Sequence, residues 1–124
     1  MAHPEFTCSV RVQYLAEQSS PPDGPFAFSY TVTIHNTGDV AAQLVARQWL
    51  VANAQGRTEE VRGLGVVGNQ PLLKPGEQFE YTSWTRIDTP QGTMHGTLFC
   101  MTEEAHPFEA PVPLFVLARP EALH

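Results

Sequence analysis

The stretch from Phe26 to Asn36 most narrows what this chain can fold into. Phe26, Phe28, Tyr30, Val32 and Ile34 alternate with Ala27, Ser29, Thr31, Thr33 and His35. A strict period of two sends one set to each face of an extended strand, a separation no helix can make. Asn36-Thr37-Gly38-Asp39 then turns the chain. The pattern recurs in residues 6–15, where Phe6, Cys8, Val10, Val12 and Tyr14 oppose Thr7, Ser9, Arg11 and Gln13. Phe79 and Tyr81 open a further strand that ends near Trp84, and residues 93–101 set Met94, Gly96, Leu98 and Cys100 on one face. Turn-forming stretches separate them: Glu17–Pro25, Leu72–Glu77, Thr89–Gly92 and Glu103–Pro107.

Two segments need more argument. In residues 41–55, Ala41, Leu44, Val45, Trp49 and Ala52 fit helical spacing, and the alanines would tolerate a helix. Strands flank the segment, however, and Gln55-Gly56 reads as a hairpin turn into Thr58–Val61, so a strand carrying a bulge is expected. The last strand, 108–117, places Phe108, Ala110, Val112, Leu114 and Val116 on one face. Pro111 and Pro113 sit at alternate positions, so both missing N–H donors face the same neighbour, and the strand is expected at a sheet edge. The tail Arg119–His124 is expected at the surface. About seven short strands without a convincing helix imply an all-β, antiparallel β-sandwich of the fibronectin type III or immunoglobulin kind. Residues 1–124 are expected to form one domain.

Composition excludes several functions. A net charge of −6 with Lys74 as the single lysine leaves no basic surface for nucleic acid or anionic membrane. No apolar run reaches the ~20 residues of a membrane-spanning helix, and no basic segment followed by an apolar run marks a signal peptide. Cys8 and Cys100 lie outside any zinc-binding spacing and on inward faces, so they read as buried, reduced thiols in a cytoplasmic protein. No cofactor is implied.

The mid-chain stretch Gly63-Leu64-Gly65-Val66-Val67-Gly68-Asn69-Gln70-Pro71 holds three of the nine glycines and spells GxGxxG. In a dinucleotide-binding fold that string joins a strand to a helix whose N-terminus meets pyrophosphate. Here Gln70-Pro71 and another turn follow, and no βαβ unit surrounds it. Two readings stand: glycines that supply positive φ and close packing, or a nest of N–H groups that holds an anion. For the second, the candidate residues are Arg62, Gly63, Gly65, Gly68, Asn69 and Gln70. A divalent-metal site would need two or three of His3, His35, His95, His106 and His124, or carboxylates, to converge in space; the acidic pairs Glu59-Glu60 and Glu103-Glu104 suit weak cation attraction or solvated turns. Ser19, Ser20, Ser29 and Ser83 lack a nucleophile elbow. No catalytic residue and no metal ligand is assigned. Phe99, Phe115 and Leu117 fall opposite the apolar faces of their strands. Exposed together they would mark a partner surface; otherwise the second sheet or a dimer mate covers them. Trp49 and Trp84 are the other aromatics to place.

Motifs along most of the chain resemble the ApaG family, the DUF525 domain. They are Tyr14-Leu15 with Glu17-Gln18-Ser19, Tyr30-Thr31-Val32-Thr33-Ile34 with Asn36, and Gln43-Leu44 through Arg47 and Trp49. Next come Glu60-Val61-Arg62 running into the glycine stretch to Pro71, Leu73-Lys74-Pro75-Gly76, and Phe79-Glu80-Tyr81-Thr82-Ser83. Thr89-Pro90-Gln91-Gly92, Met94-His95-Gly96, Met101, Phe115, Leu117, Pro120 and His124 complete the set; Phe99 stands where tyrosine is as common. The resemblance implies a fibronectin type III-like sandwich and makes 41–55 a strand. It implies the stand-alone bacterial form, associated with cobalt and magnesium efflux or resistance. Related domains in F-box proteins and a polymerase-interacting protein serve protein interaction. The expectation is a non-enzymatic module with an unidentified protein partner. The alternative is a sensor of a nucleotide or pyrophosphate at the Gly63–Gln70 loop, through which family members have been discussed as binding pyrophosphate. A homodimer stays open, since edge strands are available and the two prolines close only one.

Overall fold

The structure, a computed structural model, describes residues 2–119. The strands are β1 (Phe6–Tyr14), β2 (Phe26–Asn36), β3 (Ala42–Asn53), β4 (Thr58–Leu64), β5 (Leu72–Leu73), β6 (Gln78–Ile87), β7 (Gln91–Thr102) and β8 (Pro107–Ala118), with one 3-10 turn at Ala16–Gln18. A three-stranded sheet β1-β2-β6 faces a five-stranded sheet ordered β4-β3-β7-β8, with β5 paired to the start of β3. All pairings are antiparallel. This is the fibronectin type III-like sandwich expected. The tail from residue 120 on, with His124, lies outside the described residues.

The alternating faces become the core. Phe28, Val32 and Ile34 of β2 pack against Leu44, Leu98 and Leu117 of the facing sheet, all fully buried. Trp49 sits among Tyr30 and Phe115, with ring centroids 5.5 and 6.2 Å away. Asn36, Thr89 and Thr102 are the buried polar residues described, and the Asn36 amide is fully used. Its Nδ2 donates to the Val40 and Leu73 carbonyls at 3.0 and 2.9 Å, and its Oδ1 accepts the Gly38 N–H at 2.9 Å. It ties the 37–40 turn and β5 to the end of β2.

Residues 41–55 form β3, with the expected bulge between Leu44 and Ala46. Ala42 and Leu44 point inward before it, and Trp49 and Val51 after it. The extra residue, Val45, reverses the parity, which is why the apolar positions mimic a helical period.

A second bulge corrects the expectation for the last strand. β8 is an edge strand, as its prolines require, but the register against β7 shifts between Met94 and Gly96. Two residues of β8, Pro113 and Leu114, span the place of one on β7. Leu114 and Val116 therefore emerge into solvent, and Phe115 and Leu117 turn inward. Leu117 is 0% exposed and Phe115 packs on the core, so no exposed patch of Phe99, Phe115 and Leu117 forms. Several element limits also differ. β6 runs on to Ile87, β4 runs to Leu64, and Leu72-Leu73 pairs with β3 instead of turning. The first glycine of the mid-chain stretch is thus a strand residue.

The sandwich has two lateral sides. On one, edge strands β1 and β8 pack together, with Phe6 edge-on to Phe108 at 5.4 Å. On the other, edge strands β4 and β6 stand apart and leave a groove.

Candidate functional site: the glycine hairpin and the β4–β6 groove

The hairpin grows out of β4 and folds back on the β3 bulge. Its four-residue turn, Val66–Asn69, is closed by both main-chain bonds between Val66 and Asn69, at 2.8 and 2.9 Å. The central residues Val67 and Gly68 have φ of 47° and 79°. Positive φ at both positions is what a type I′ turn requires, and a β-branched residue there is strained. Gly65 also has a positive φ, 62°, and a Cβ there would strike the Asn69 carbonyl. The Val45 carbonyl, freed by the bulge, accepts the Gly65 N–H at 2.8 Å and Gln70 Nε2 at 2.9 Å. Bulge and hairpin form one unit.

Gly63 answers to close approach. It lies directly across from Arg47, and a Cβ would stand 2.6 Å from Arg47 Nη1. With that space open, the guanidinium crosses β4 and donates from Nη1 to the Leu64 and Gly65 carbonyls at 3.1 and 2.9 Å. Asn69 Nδ2 donates to the Val67 carbonyl at 3.1 Å. Arg62 lies elsewhere. Alternation along β4 puts Val61 and Gly63 on the groove side and Arg62 on the outer face opposite Gln48. There Arg62 pairs with Glu60 at 3.1 Å, and Glu60 also accepts from Gln48. These two bonds hold the exposed Glu60 carboxyl below its ordinary range. The structure thus gathers Gly63, Gly65, Gly68, Asn69 and Gln70 into one hairpin and sends the Arg62 side chain to the sheet's outer face. The N–H groups of Gly65, Val66 and Asn69 are spent on main-chain carbonyls.

The groove beside the hairpin is a hollow of about 320 Å³ with Tyr30, Trp49 and Met94 among its lining, Val61 and Val67 on the β4 side, and Tyr81, Ser83 and Trp84 on β6. Arg47 also lines it. Burial pushes the Tyr30 phenol's pKa up, against the pull of the neighbouring Ser83 side chain and of Arg47. Tyr81 is 7% exposed, and its hydroxyl finds no hydrogen-bond partner among the described residues. Burial, then the nearby Tyr30 and Cys8, keep that phenol protonated, against Arg47. Trp84 is 60% exposed, with the Arg86 guanidinium 5.0 Å from its ring centre. Tyr30, Ser83 and Tyr81 were legible as strand residues, but nothing local in the sequence signals that they meet Arg47.

Cys8 and Cys100 are buried, free thiols, pushed up to about 11 and about 12, mainly by burial. His35 is half-buried and His95 exposed, as their polar-face positions implied. Among the described residues no three His, Cys, Asp or Glu side chains group closely enough to hold a metal ion. No helix among them is long and apolar enough to cross a membrane.

Sheet order, bulged β3 and glycine hairpin together define a small antiparallel β-sandwich with one closed and one open side. The profile of the ApaG domain, DUF525, matches residues 16–102, and the chain belongs to that family. It is 56% identical over 124 residues to Protein ApaG of Ralstonia nicotianae, covering 100% of both chains. It is 57% identical over 108 residues to Protein ApaG of an Acidovorax species, covering 87% of this chain and 79% of the relative. The crystal structure of a Bordetella pertussis protein described as ApaA superposes with a TM-score of 0.91 at 50% identity, covering 94% of this chain and 95% of that one.

Proposed function

We propose that this chain is a non-enzymatic protein-interaction module of the bacterial cytoplasm, linked to cobalt and magnesium homeostasis through a protein partner. One observation carries the reading. Of the eight exposed large apolar residues described, Val61, Leu64, Val67, Leu72 and Trp84 belong to β4, the hairpin, β5 and β6. Exposed apolar side chains scattered singly are ordinary, whereas a cluster around one edge marks a contact surface. The chemistry supports it too, since the thiols, the strongest nucleophiles present, are buried and held protonated.

A photo-crosslinking residue at Leu64, 75% exposed, tests this in the living cell against the same residue at Leu114. A discrete adduct from the first position and none from the second is expected, with cobalt tolerance lost in Leu64→Asp. Equal labelling from both positions, or full tolerance in the variant, removes the reading.

A second reading, an anion sensor, draws on the exposed turn of the hairpin at Val67–Gln70 next to the Arg62 strand. Thermal shift with ATP and pyrophosphate tests it. A rise in melting temperature with either ligand, accompanied by amide shifts confined to Val67–Gln70, would put this reading first.

A further inference from the structure

Strand β4 is the least covered strand of the sandwich. All its residues but Gly63 are exposed. It pairs with β3 on one side and, among the described residues, with no strand on the other. Natural edge strands are blunted by proline, lysine or a covering loop. The opposite edge of the same sheet, β8, has its prolines, whereas β4 has neither proline nor lysine.

The ladder with β3 fixes which main-chain groups of β4 are free. The Asn53 N–H donates to the Arg57 carbonyl at 2.9 Å, and the Gly65 N–H to the Val45 carbonyl at 2.8 Å. These bonds bracket a single register, and antiparallel bonding alternates along it. The odd-numbered residues of β4 therefore turn their N–H and C=O groups to β3. Thr58, Glu60, Arg62 and Leu64 send theirs to the open edge.

Charge decides what fits that edge. Laid antiparallel on a second copy about Val61, β4 sets Glu60 opposite Arg62 and Arg62 opposite Glu60, at hydrogen-bonded positions. The Glu60–Arg62 pair within each copy then joins its twin in a four-charge cluster. On the groove face Val61 meets Val61. Glu59 comes opposite Gly63, where the Arg47 guanidinium fills the place of a Cβ. Every charged residue of the strand thus faces an opposite charge. The neighbouring two-fold registers fail: centring on Glu59, Glu60 or Arg62 sets that residue against its own copy, and like charges directly opposite are destabilising.

We infer that two copies of this chain join here, β4 pairing antiparallel with β4 of a second copy about Val61, so that their β4-β3-β7-β8 sheets become one. The ladder exchanges about eight main-chain bonds. A two-fold contact of this kind uses up both edges and closes. Val67, Leu72 and Trp84 lie outside the ladder and are left for another partner. The inference therefore goes beyond the interaction-module reading and does not depend on it.

The test is sedimentation of the purified full chain from about 10 μM to about 1 mM. A monomer–dimer equilibrium within that range is expected, with no larger species. Arg62→Glu sets acid against acid and Glu60→Arg base against base, so each should weaken the dimer at least about tenfold. Both side chains are exposed, so both variants should keep the fold. Mixed in equal amounts, the two variants should dimerise like the unaltered chain, because each supplies the charge the other lacks. Amide exchange locates the contact. The N–H groups of Glu60, Arg62 and Leu64 should slow as concentration rises, and those of Glu59, Val61 and Gly63 should not change.

A chain still monomeric at about 1 mM overturns the inference. So does a dimer that leaves the Glu60, Arg62 and Leu64 amides unprotected, or a mixture no more associated than either variant alone. These outcomes are read on the chain by itself and leave the partner to the crosslinking test, where a self-adduct at Leu64 is recognised by twice the chain's mass.

Discussion

The two lateral sides of the sandwich treat the same problem in opposite ways. Every sandwich ends in four edge strands. Here β1 and β8 are drawn together, with Phe6 against Phe108, and Pro111 and Pro113 line the seam beside Cys8. Prolines have no N–H to offer, so the two strands meet through side chains rather than a ladder, and a hollow of about 350 Å³ remains along the seam. On the other side, β4 and β6 stay apart over an aromatic floor, and apolar residues remain on the rim. The difference separates a side that supplies stability from a side that carries surface chemistry. The family profile covers the open side whole but neither β1 nor β8, since it matches residues 16–102.

The comparison is open to breakage at several points. The largest effect should come from the closed side. Phe6→Ala, at a 3% exposed position, should cost about 3–5 kcal/mol by urea unfolding. A loss below about 1 kcal/mol would mean that this side is not sealed by packing.

Next comes pH. The folded chain holds the Cys8 and Cys100 protons up to about 11 and about 12 against an ordinary 9.0, so the unfolded chain ionises first. Their contribution is complete below 9.0 and drains away as pH rises towards those values. The urea midpoint should fall from about pH 9 upward, and less steeply in Cys8→Ala. A flat profile would place the thiols in water.

On the open side the expected effects are smaller. Arg47→Met should cost about 1–3 kcal/mol, because two carbonyls lose their donor. Faster amide exchange should then appear in the hairpin and not at β1 or β8; exchange spread over both sides would dissolve the division. Val67→Asn should instead stabilise, by roughly 1 kcal/mol. Asparagine tolerates φ of 47° before Gly68, and Asn-Gly is the preferred type I′ pair. A lower melting temperature would show that the valine packs against something that outweighs its strain. Trp84→Ala sits at the bottom, within about 0.5 kcal/mol despite the size of the side chain. Its effect belongs in the Leu64 crosslinking assay, as a lost adduct.

These contrasts also mark how far the sequence could be read. Alternation in β1, β2 and β7 showed through because a half-buried strand must repeat every two residues. The edge placement of β8 followed from two prolines and the direction of their missing donors. The inward turn of Phe115 and Leu117 did not, because a bulge changes parity without any compositional mark when no glycine is needed. The hairpin was visible as glycines, but not its debt to the Val45 carbonyl. The groove was hidden most deeply. Tyr30, Arg47 and Tyr81 meet only through the β2–β6 pairing and the facing of two sheets, and no local pattern encodes sheet order.

The bulge on β3 reaches further than its own strand. One added residue lets a single strand answer to two reading frames, inward on even numbers up to Leu44 and on odd numbers from Arg47. Side-chain identity at Val45 is close to irrelevant to that service; its presence is what counts. Substitution scanning would therefore pass over the position. Removing one residue there would offer Gln48 and Leu50 to the interior in place of Arg47, Trp49 and Val51. The hairpin's anchor and the groove's floor would vanish together, so chain length at this point is itself a functional character of the molecule.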